Sequence, residues 1–147
     1  MTVHQLSIFI ENKPGRLRTC CKKLAEEQID IVTLSLADTQ EFGILRLIVR
    51  DWERAKAALV QAGYAVNVCE VVVATVPDEP GGMGGVLETL EGAGVNIEYM
   101  YAFAFRHKNE AVLVFRFDDS AKAIAALTKA GREVLDEATL CSHAAKA

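Results

Sequence analysis

The residues that could do chemistry lie in two short loops with a shared pattern. The loops read Asn12-Lys13-Pro14-Gly15-Arg16-Leu17 and Asp78-Glu79-Pro80-Gly81-Gly82-Met83, and each precedes a predicted helix. The first turn of a helix offers unpaired amide donors and a positive potential, which suit a carboxylate. Near the next strand stands a short polar residue followed by isoleucine, as Asp30-Ile31 and Asn96-Ile97. That side chain could orient an ammonium or an amide. A carboxylate site beside an ammonium site is what a free amino acid requires, so we expect loop and step to lie side by side and to suit such a ligand.

A structural interpretation of the same residues stays open. Asn12 and Asp78 can cap turns, and Asp30 and Asn96 can end a loop without binding anything. The glycines Gly82, Gly84 and Gly85 can serve close packing against another backbone, or they can let a ligand approach the helix. The segment lacks both the Lys-Ser/Thr ending of a phosphate loop and the spacing of a dinucleotide fingerprint.

No arrangement typical of an enzyme is found. His4, His107 and His143 are scattered, so no run of metal ligands is present. Cys20 and Cys21 are adjacent on a predicted helix and do not form a CxxC motif, so helix packing explains them. No serine or cysteine sits in a nucleophile motif. We therefore expect no catalytic residue, no metal and no cofactor.

Composition narrows the remaining classes. The chain of 147 residues is 51% hydrophobic and 24% charged, which is typical of a globular protein. No apolar run approaches the roughly 20 residues of a membrane helix, and the N-terminus does not resemble a secretory signal. Four irregularly spaced cysteines favour reduced thiols and a cytoplasmic location. The net charge of −4, without a basic stripe, argues against nucleic acid and against an anionic membrane surface.

The chain repeats itself. Pro14-Gly15 recurs as Pro80-Gly81, and residues 51–63 match residues 119–131 at seven of thirteen positions, with an offset that is larger by two. The two additional residues are most simply placed in the turn around 107–109. Repetition in the same order predicts two units of about seventy residues. We place the domains at 1–69 and 70–141, followed by a tail at 142–147.

Each unit has the same predicted order of elements, β-α-β-β-α-β. In the first unit, Pro14 suits the first position of a helix, and Asp51 suits the cap of a second one. In the second unit the predicted strands are 70–76, 97–105, 111–117 and 133–140, and the predicted helices are 82–93 and 120–130. This order predicts an α+β protein of two ferredoxin-like domains with antiparallel sheets. Residues 66–76 contain neither Pro nor Gly, so the last strand of the first domain should continue into the first strand of the second.

Both faces of the strands look apolar. Alternation places Tyr99, Tyr101, Phe103 and Phe105 on one side and Met100, Ala102 and Ala104 on the other. One face must pack on helices, and an isolated antiparallel sheet normally leaves the other in water. We therefore expect a partner sheet, either between the units or in a homodimer.

The two loops and steps together resemble the ACT domain signature. In the first unit the loop Asn12–Leu17 precedes Leu24-Ala25-Glu26-Glu27-Gln28-Ile29-Asp30-Ile31, and in the second unit the loop Asp78–Met83 precedes Leu90-Glu91-Gly92-Ala93-Gly94-Val95-Asn96-Ile97. The resemblance covers nearly the whole chain as a tandem pair. It implies a regulatory module that binds a small ligand, usually an amino acid, where ACT domains meet. The first unit departs from the pattern with Asp30 where Asn is usual, and the second has Gly82 at a variable position, so one unit alone could bind.

The resemblance implies binding positions and leaves two functions open. The implied positions are Asn12, Pro14, Gly15, Arg16, Leu17, Asp30 and Ile31 in the first unit, and Asp78, Pro80, Gly81, Gly82, Met83, Asn96 and Ile97 in the second. The leading hypothesis is a non-enzymatic, allosteric sensor that binds an amino acid and reports through domain or subunit packing. The alternative is a regulatory subunit that contacts a metabolic enzyme and has no ligand of its own.

Overall fold

A computed structural model describes residues 1–38 and 40–144. It contains two compact units, an N-terminal unit of His4–Cys69 and a C-terminal unit that joins Met1–Val3 to the chain from Glu70 onward. The elements are β1 (Val3–Glu11), α1 (Arg16–Glu26), β2 (Ile31–Asp38), β3 (Phe42–Val49), α2 (Trp52–Gln61), β4 (Ala65–Val76), α3 (Gly82–Gly92), β5 (Ile97–His107), β6 (Glu110–Phe117), α4 (Ser120–Lys129), β7 (Val134–Leu135) and α5 (Glu137–Ala144). The predicted α+β fold of two βαββαβ repeats is confirmed.

The N-terminal unit has the strand order β2-β3-β1-β4. Strand β3 is antiparallel to both β1 and β2, with Leu47 opposite Leu6 on one side and Leu34 on the other. Alternate residues of these strands point to one face, where the helices cover them. The resulting core consists of Leu6, Ile8, Ile10, Cys20, Leu24, Ile29, Leu45, Leu47, Val49, Ala55 and Leu59.

The C-terminal unit repeats this arrangement with the strand order β7-β4-β6-β5. Its core consists of Val72, Ala74, Val76, Val86, Leu90, Val95, Phe115, Phe117, Ala123, Leu127 and Val134. Strand β4 runs unbroken over Ala65–Val76, as the absence of Pro and Gly predicts. No helix of the described residues is both long and apolar enough to span a bilayer.

The two additional residues of the second repeat lie in a strand, not in the turn where we expected them. Ala102 is opposite Leu113, but Arg106 is opposite Ala111, so three residues of β5 face one residue of β6. This irregularity is a β-bulge at 103–105. The turn itself is short, because Lys108 and Asn109 both have positive φ (49° and 64°), as a two-residue hairpin requires.

The end of the chain also differs from expectation. Residues 133–140 were expected to form a strand, but only Val134–Leu135 pair with β4, and α5 follows at once. The reason is Asp136, whose carboxylate accepts a hydrogen bond from the Thr139 amide at 2.8 Å and so caps a helix. Residues 142–144, expected in a tail, belong to this helix.

The second face of the sheets is only partly buried within the described chain. Phe103 is buried, whereas Phe9 is 45% exposed and Phe42 50% exposed. Leu34 and Leu36 on β2 are about half exposed as well. The expectation that a homodimer covers such side chains stays a prediction.

Candidate ligand-binding loops

Both candidate loops end in a glycine with a left-handed backbone. Gly15 has φ 83° and Gly81 has φ 85°, values that side chains with a Cβ disfavour. The helix can begin only after such a residue, so α1 starts at Arg16 and α3 at Gly82. The expectation that Pro14 occupies the first helical position is therefore wrong. The recurring Pro-Gly pair sets a sharp entry into each helix.

The helices that follow these loops have no side-chain cap. The second helix of each repeat does have one: Asp51 accepts from the Arg54 amide at 3.2 Å, and Asp119 accepts from the Lys122 amide at 3.0 Å. The two kinds of helix start therefore differ in the same way in both repeats. At α1 and α3 the first helical amide, that of Arg16 or Gly82, donates to a loop carbonyl, that of Lys13 or Glu79. The remaining first-turn amides are left to solvent or to a ligand acceptor.

A cleft adjoins each of these helix starts. In the C-terminal unit it measures about 370 Å³, and its lining includes Gly81, Gly85 and Arg132. In the N-terminal unit it measures about 430 Å³, and its lining includes Arg16 and Tyr64. The two clefts occupy equivalent places in the repeat, since each lies between the first helix of its unit and the turn after the second.

The glycines of α3 have separate explanations. A Cβ on Gly82 would lie 2.0 Å from the carbonyl oxygen of Pro77, so the loop backbone folds directly over this position. A Cβ on Gly84 or Gly85 would meet no atom within 4 Å outside its own helix. Of these glycines, only Gly82 is explained by close packing, and the backbone that it packs against is that of its own loop. Gly85 lines the cleft without a side chain that would fill it.

The N-terminal loop is held by backbone and by charge. The Asn12 amide donates to the Glu41 carbonyl at 2.9 Å. The Glu11 carboxylate lies 3.1 Å from Nζ of Lys13 and 3.9 Å from Arg16, and the hydrogen bond from Lys13 holds the pKa of Glu11 below its ordinary value. Arg16 thus stands at the helix start with a partly exposed carboxylate beside it.

The C-terminal loop is held by an ion pair between Asp78 and Arg106. Arg106 follows the bulge on β5, and sequence reasoning did not include it among the site residues. The sequence evidence for Arg106 was weak, because only its position as a basic residue at the end of the aromatic strand distinguished it from other arginines. Each loop therefore carries one guanidinium, from Arg16 on α1 in the first unit and from Arg106 on β5 in the second.

The steps before β2 and β5 also carry complementary groups. Asp30 is exposed, and its carboxylate lies 3.8 Å from Nε of Arg50. At the second step the backbone amide of Asn96 donates to the Asp118 carboxylate at 3.0 Å. The backbone amide of Asp118 donates back to the backbone carbonyl of Asn96 at 3.2 Å. Asp118 was missed, although the alignment of residues 51–63 with 119–131, extended by one position, places it at Arg50 and could have identified it.

Within one unit the loop and the step are far apart. Strands β1 and β2 run in the same direction, so Ile10 and Asp38 lie at one end of the sheet, both facing Gly43. Ile31 lies at the other end, opposite Val49. Helix α1, of 11 residues and so about 16 Å long, spans this distance. The sequence-based expectation that loop and step lie side by side is wrong within a unit, and the second unit follows the same rule.

The apolar members of the predicted set are core-facing. Leu17 and Ile31 pack against the core of the N-terminal unit, and Met83 and Ile97 pack against that of the C-terminal unit. The polar and loop members of the set, by contrast, are exposed or only partly buried. Leu17, Ile31, Met83 and Ile97 therefore fix the backbone of the loops and steps.

Metal and thiol chemistry receive no support from the described residues. Within 1–38 and 40–144, no group of three or more His, Cys, Asp and Glu side chains could hold a metal ion. Cys20 and Cys21 are free thiols. Cys20 is fully buried in the core of its unit, and burial raises the pKa of its thiol to about 11. Cys20 is thus a packing residue.

Comparison with known proteins identifies the family. The family model described as an ACT domain pair matches residues 1–143. The crystal structure of protein BT0572 from Bacteroides thetaiotaomicron is similar at 41% sequence identity and a TM-score of 0.88, over 95% of this chain and 96% of that one. Regulatory subunits of aspartate kinase from Thermus thermophilus and Thermus flavus share the fold at 16% and 18% identity, with TM-scores of 0.62 and 0.61. Those alignments cover 86% and 88% of this chain and 91% and 94% of those chains. Comparison with curated proteins gives no match.

With two repeats that carry the same loops and a family model that spans them both, this chain belongs to the ACT family as an ACT domain pair.

Proposed function

We propose that this ACT domain pair is a non-enzymatic regulatory protein that binds a free amino acid or a similar small ligand. The observation that carries the proposal is the pair of uncapped helix starts at Gly15 and Gly81, each beside an open cleft. The neighbouring helices α2 and α4 use aspartate caps, so the missing caps are a specific property of these two positions. A ligand carboxylate would complete the first turn as an aspartate does elsewhere in the repeat.

The charges at the loops and steps suit the two ends of an amino acid. Arg16 and Arg106 stand at the loops, where a carboxylate would bind, and Asp30 and Asp118 stand at the steps, where an ammonium would bind. Because loop and step lie at opposite ends of a unit, one small ligand can reach both only if two ACT domains contribute. We therefore propose that the ligand binds where two ACT domains meet.

The binding residues that we propose combine predicted and newly found positions. At the loops they are Asn12, Pro14, Gly15, Arg16, Asp78, Pro80, Gly81 and Gly82, with Arg106 added; at the steps they are Asp30 and Asn96, with Asp118 added. Leu17, Ile31, Met83 and Ile97 support them from the cores. A reducing cytoplasm fits four irregularly spaced cysteines, and we propose it as the location.

Calorimetry against the twenty amino acids tests the proposal directly. We expect one or a few to bind, and to raise the melting temperature progressively as their concentration increases. Gly85→Leu places a side chain in the cleft beside α3, and Gly84→Leu is the matched control on the same helix, outside the lining. Weaker binding in the first variant alone supports the site. An equal effect of both variants, or no binding by any amino acid, contradicts it.

The half-exposed apolar side chains favour a second candidate function. Phe9, Leu34, Leu36 and Phe42 are each between 45% and 50% exposed in the N-terminal unit. Such surfaces can bind a second copy of the chain or a metabolic enzyme that the pair regulates. The regulatory subunits of aspartate kinase named above have this fold.

Light scattering separates these partners. We expect a homodimer of the wild type that Leu36→Arg converts to monomers, because a buried charge opposes association. If the wild type is monomeric and purifies with an enzyme that Leu36→Arg no longer binds, then the regulatory-subunit candidate is favoured. Arg18→Leu, on the exposed side of α1, is a control that should leave the molecular mass unchanged.

A further inference from the structure

The C-terminal unit contains a close pair of histidines that the ligand-binding proposal does not use. Nδ1 of His107, on β5, lies 2.6 Å from Nε2 of His143, on α5, and the two rings meet edge to face. His107 is buried, with 8% of its surface exposed. The ring of His143 also stacks on Phe105, at a centroid distance of 5.1 Å and an interplanar angle of 20°. The last turn of α5 is therefore attached to the end of β5 through one imidazole.

The His107 ring has a charged neighbour. Nε2 of His107 is 3.2 Å from Oε1 of Glu133. Glu133 is itself paired with Lys108 at 3.1 Å, and the hydrogen bond from Lys108 holds the pKa of the Glu133 carboxyl below its ordinary value. Two other arginines of this unit, Arg106 and Arg132, are paired with Asp78 and Glu110, respectively.

These contacts define how protons are arranged in the neutral pair. A short contact between two ring nitrogens requires one donor and one acceptor. Nε2 of His107 is buried and makes no hydrogen bond among the described residues, although Oε1 of Glu133 lies 3.2 Å away. A proton on Nε2 is the arrangement that this carboxylate favours, and it leaves Nδ1 of His107 as the acceptor and Nε2 of His143 as the donor.

One additional proton strengthens this arrangement, and a second one breaks it. The first proton binds to Nδ1 of His143, which turns the neutral donor into a charged and stronger one. The second proton must bind to Nδ1 of His107, and two N–H groups then face each other across the contact.

We propose that His107 and His143 form a pH-sensitive latch that holds α5 against β5 and opens when both rings are protonated. The latch is closed in the neutral and the singly protonated state. The first proton binds the closed state better, so it strengthens the attachment as the pH falls. The second proton binds the open state better, so attachment weakens at lower pH.

Residue-resolved hydrogen exchange of α5 tests the latch. The full chain is compared between pH 7.5 and pH 5, with rates corrected for intrinsic exchange. We expect protection of the last turn of α5 to pass through a maximum within this range and to fall at least about tenfold from that maximum by pH 5. Protection of β6 should stay constant, because carboxylates ordinarily titrate below this range, near pH 4.

Two variants identify the groups responsible. In H143Q the amide can offer either its oxygen or its N–H group to His107, so protection should differ less than about twofold between pH 6.5 and pH 5. H4Q is the matched control, because His4 belongs to the N-terminal unit and stacks on Trp52; it should behave as the wild type does. The proposal is overturned if wild-type protection does not change with pH, or if H143Q loses protection as the wild type does.

Discussion

Replacing Gly82 by alanine tests how the C-terminal loop is built. The added Cβ would lie 2.0 Å from the carbonyl oxygen of Pro77 and 2.9 Å from its carbonyl carbon. Carbon and oxygen without a conventional hydrogen bond ordinarily stay about 3.3 Å or more apart. Since the obstacle is backbone, the side chain cannot avoid it by rotating, and the loop must move by more than an ångström.

The expected size of this effect follows from overpacking. Forcing an additional methyl group into a closed site costs about 1–3 kcal/mol. Gly84→Ala on the same helix is the matched control, since a Cβ there would meet no atom within 4 Å outside the helix. That change should stabilise the protein by about 0.5–1 kcal/mol, because glycine is a poor helix former. Two substitutions of the same kind, two residues apart, should therefore have opposite signs and differ by about 1.5–4 kcal/mol.

Urea unfolding followed by circular dichroism measures both variants. With a slope of about 1–3 kcal/mol per molar urea, the two midpoints should lie roughly 1 M apart. Calorimetry on the folded Gly82→Ala variant should also show weaker ligand binding, because the loop that presents Gly81 has moved. If Gly82→Ala proves as stable as Gly84→Ala, then the backbone does not close over this position and our account of the loop is wrong.

Three further predictions concern single side chains. Asp119→Ala removes the cap on the Lys122 amide and should cost about 1 kcal/mol in urea unfolding, whereas Asp119→Asn, which caps as well, should cost much less. Cys20 should be the last thiol alkylated by iodoacetamide at pH 8, because burial and a pKa of about 11 leave roughly one thiol in a thousand ionised there; early modification in a mass-spectrometric time course would contradict this. The hydrogen bond from the Thr139 amide lowers the pKa of Asp136, so its contribution to α5 is present above about pH 4 and is lost as pH falls below it. In Asp136→Asn, exchange protection of α5 should change less between pH 5 and pH 3 than it does in the wild type.

Much of the fold could be predicted because the repeat supplies two independent versions of the same pattern. The Pro-Gly pairs at 14–15 and 80–81 mark the same helix start twice, and Asp51 and Asp119 mark another. Where the two copies agree, a local signal such as alternation or a cap residue is sufficient. The end of the chain has no such support, because α5 follows β7 where a longer strand was expected.

The candidate site could be predicted only in part, for reasons of register and direction. A bulge at 103–105 shifts the register at the end of β5. The alternation of residues along the strand therefore does not predict that Arg106 pairs with Asp78. The direction of β2 relative to β1 is a property of the whole sheet, and the sequence pattern alone placed the loop and the step together. Sequence reasoning missed Asp118 because it is distant in sequence from Asn96, whose backbone amide donates a hydrogen bond to the Asp118 carboxylate.

The separation of loop and step has a thermodynamic consequence for any ligand that uses both. If the carboxylate binds at the helix start of one ACT domain and the ammonium at the step of another, then the ligand binds the associated domains better than the separate ones. By linkage, association must then strengthen ligand binding by the same factor. A ligand that contacts only one domain shows no such dependence. The affinity for the amino acid should therefore rise with domain association, and a variant that weakens association should weaken binding even though it touches neither the loops nor the steps.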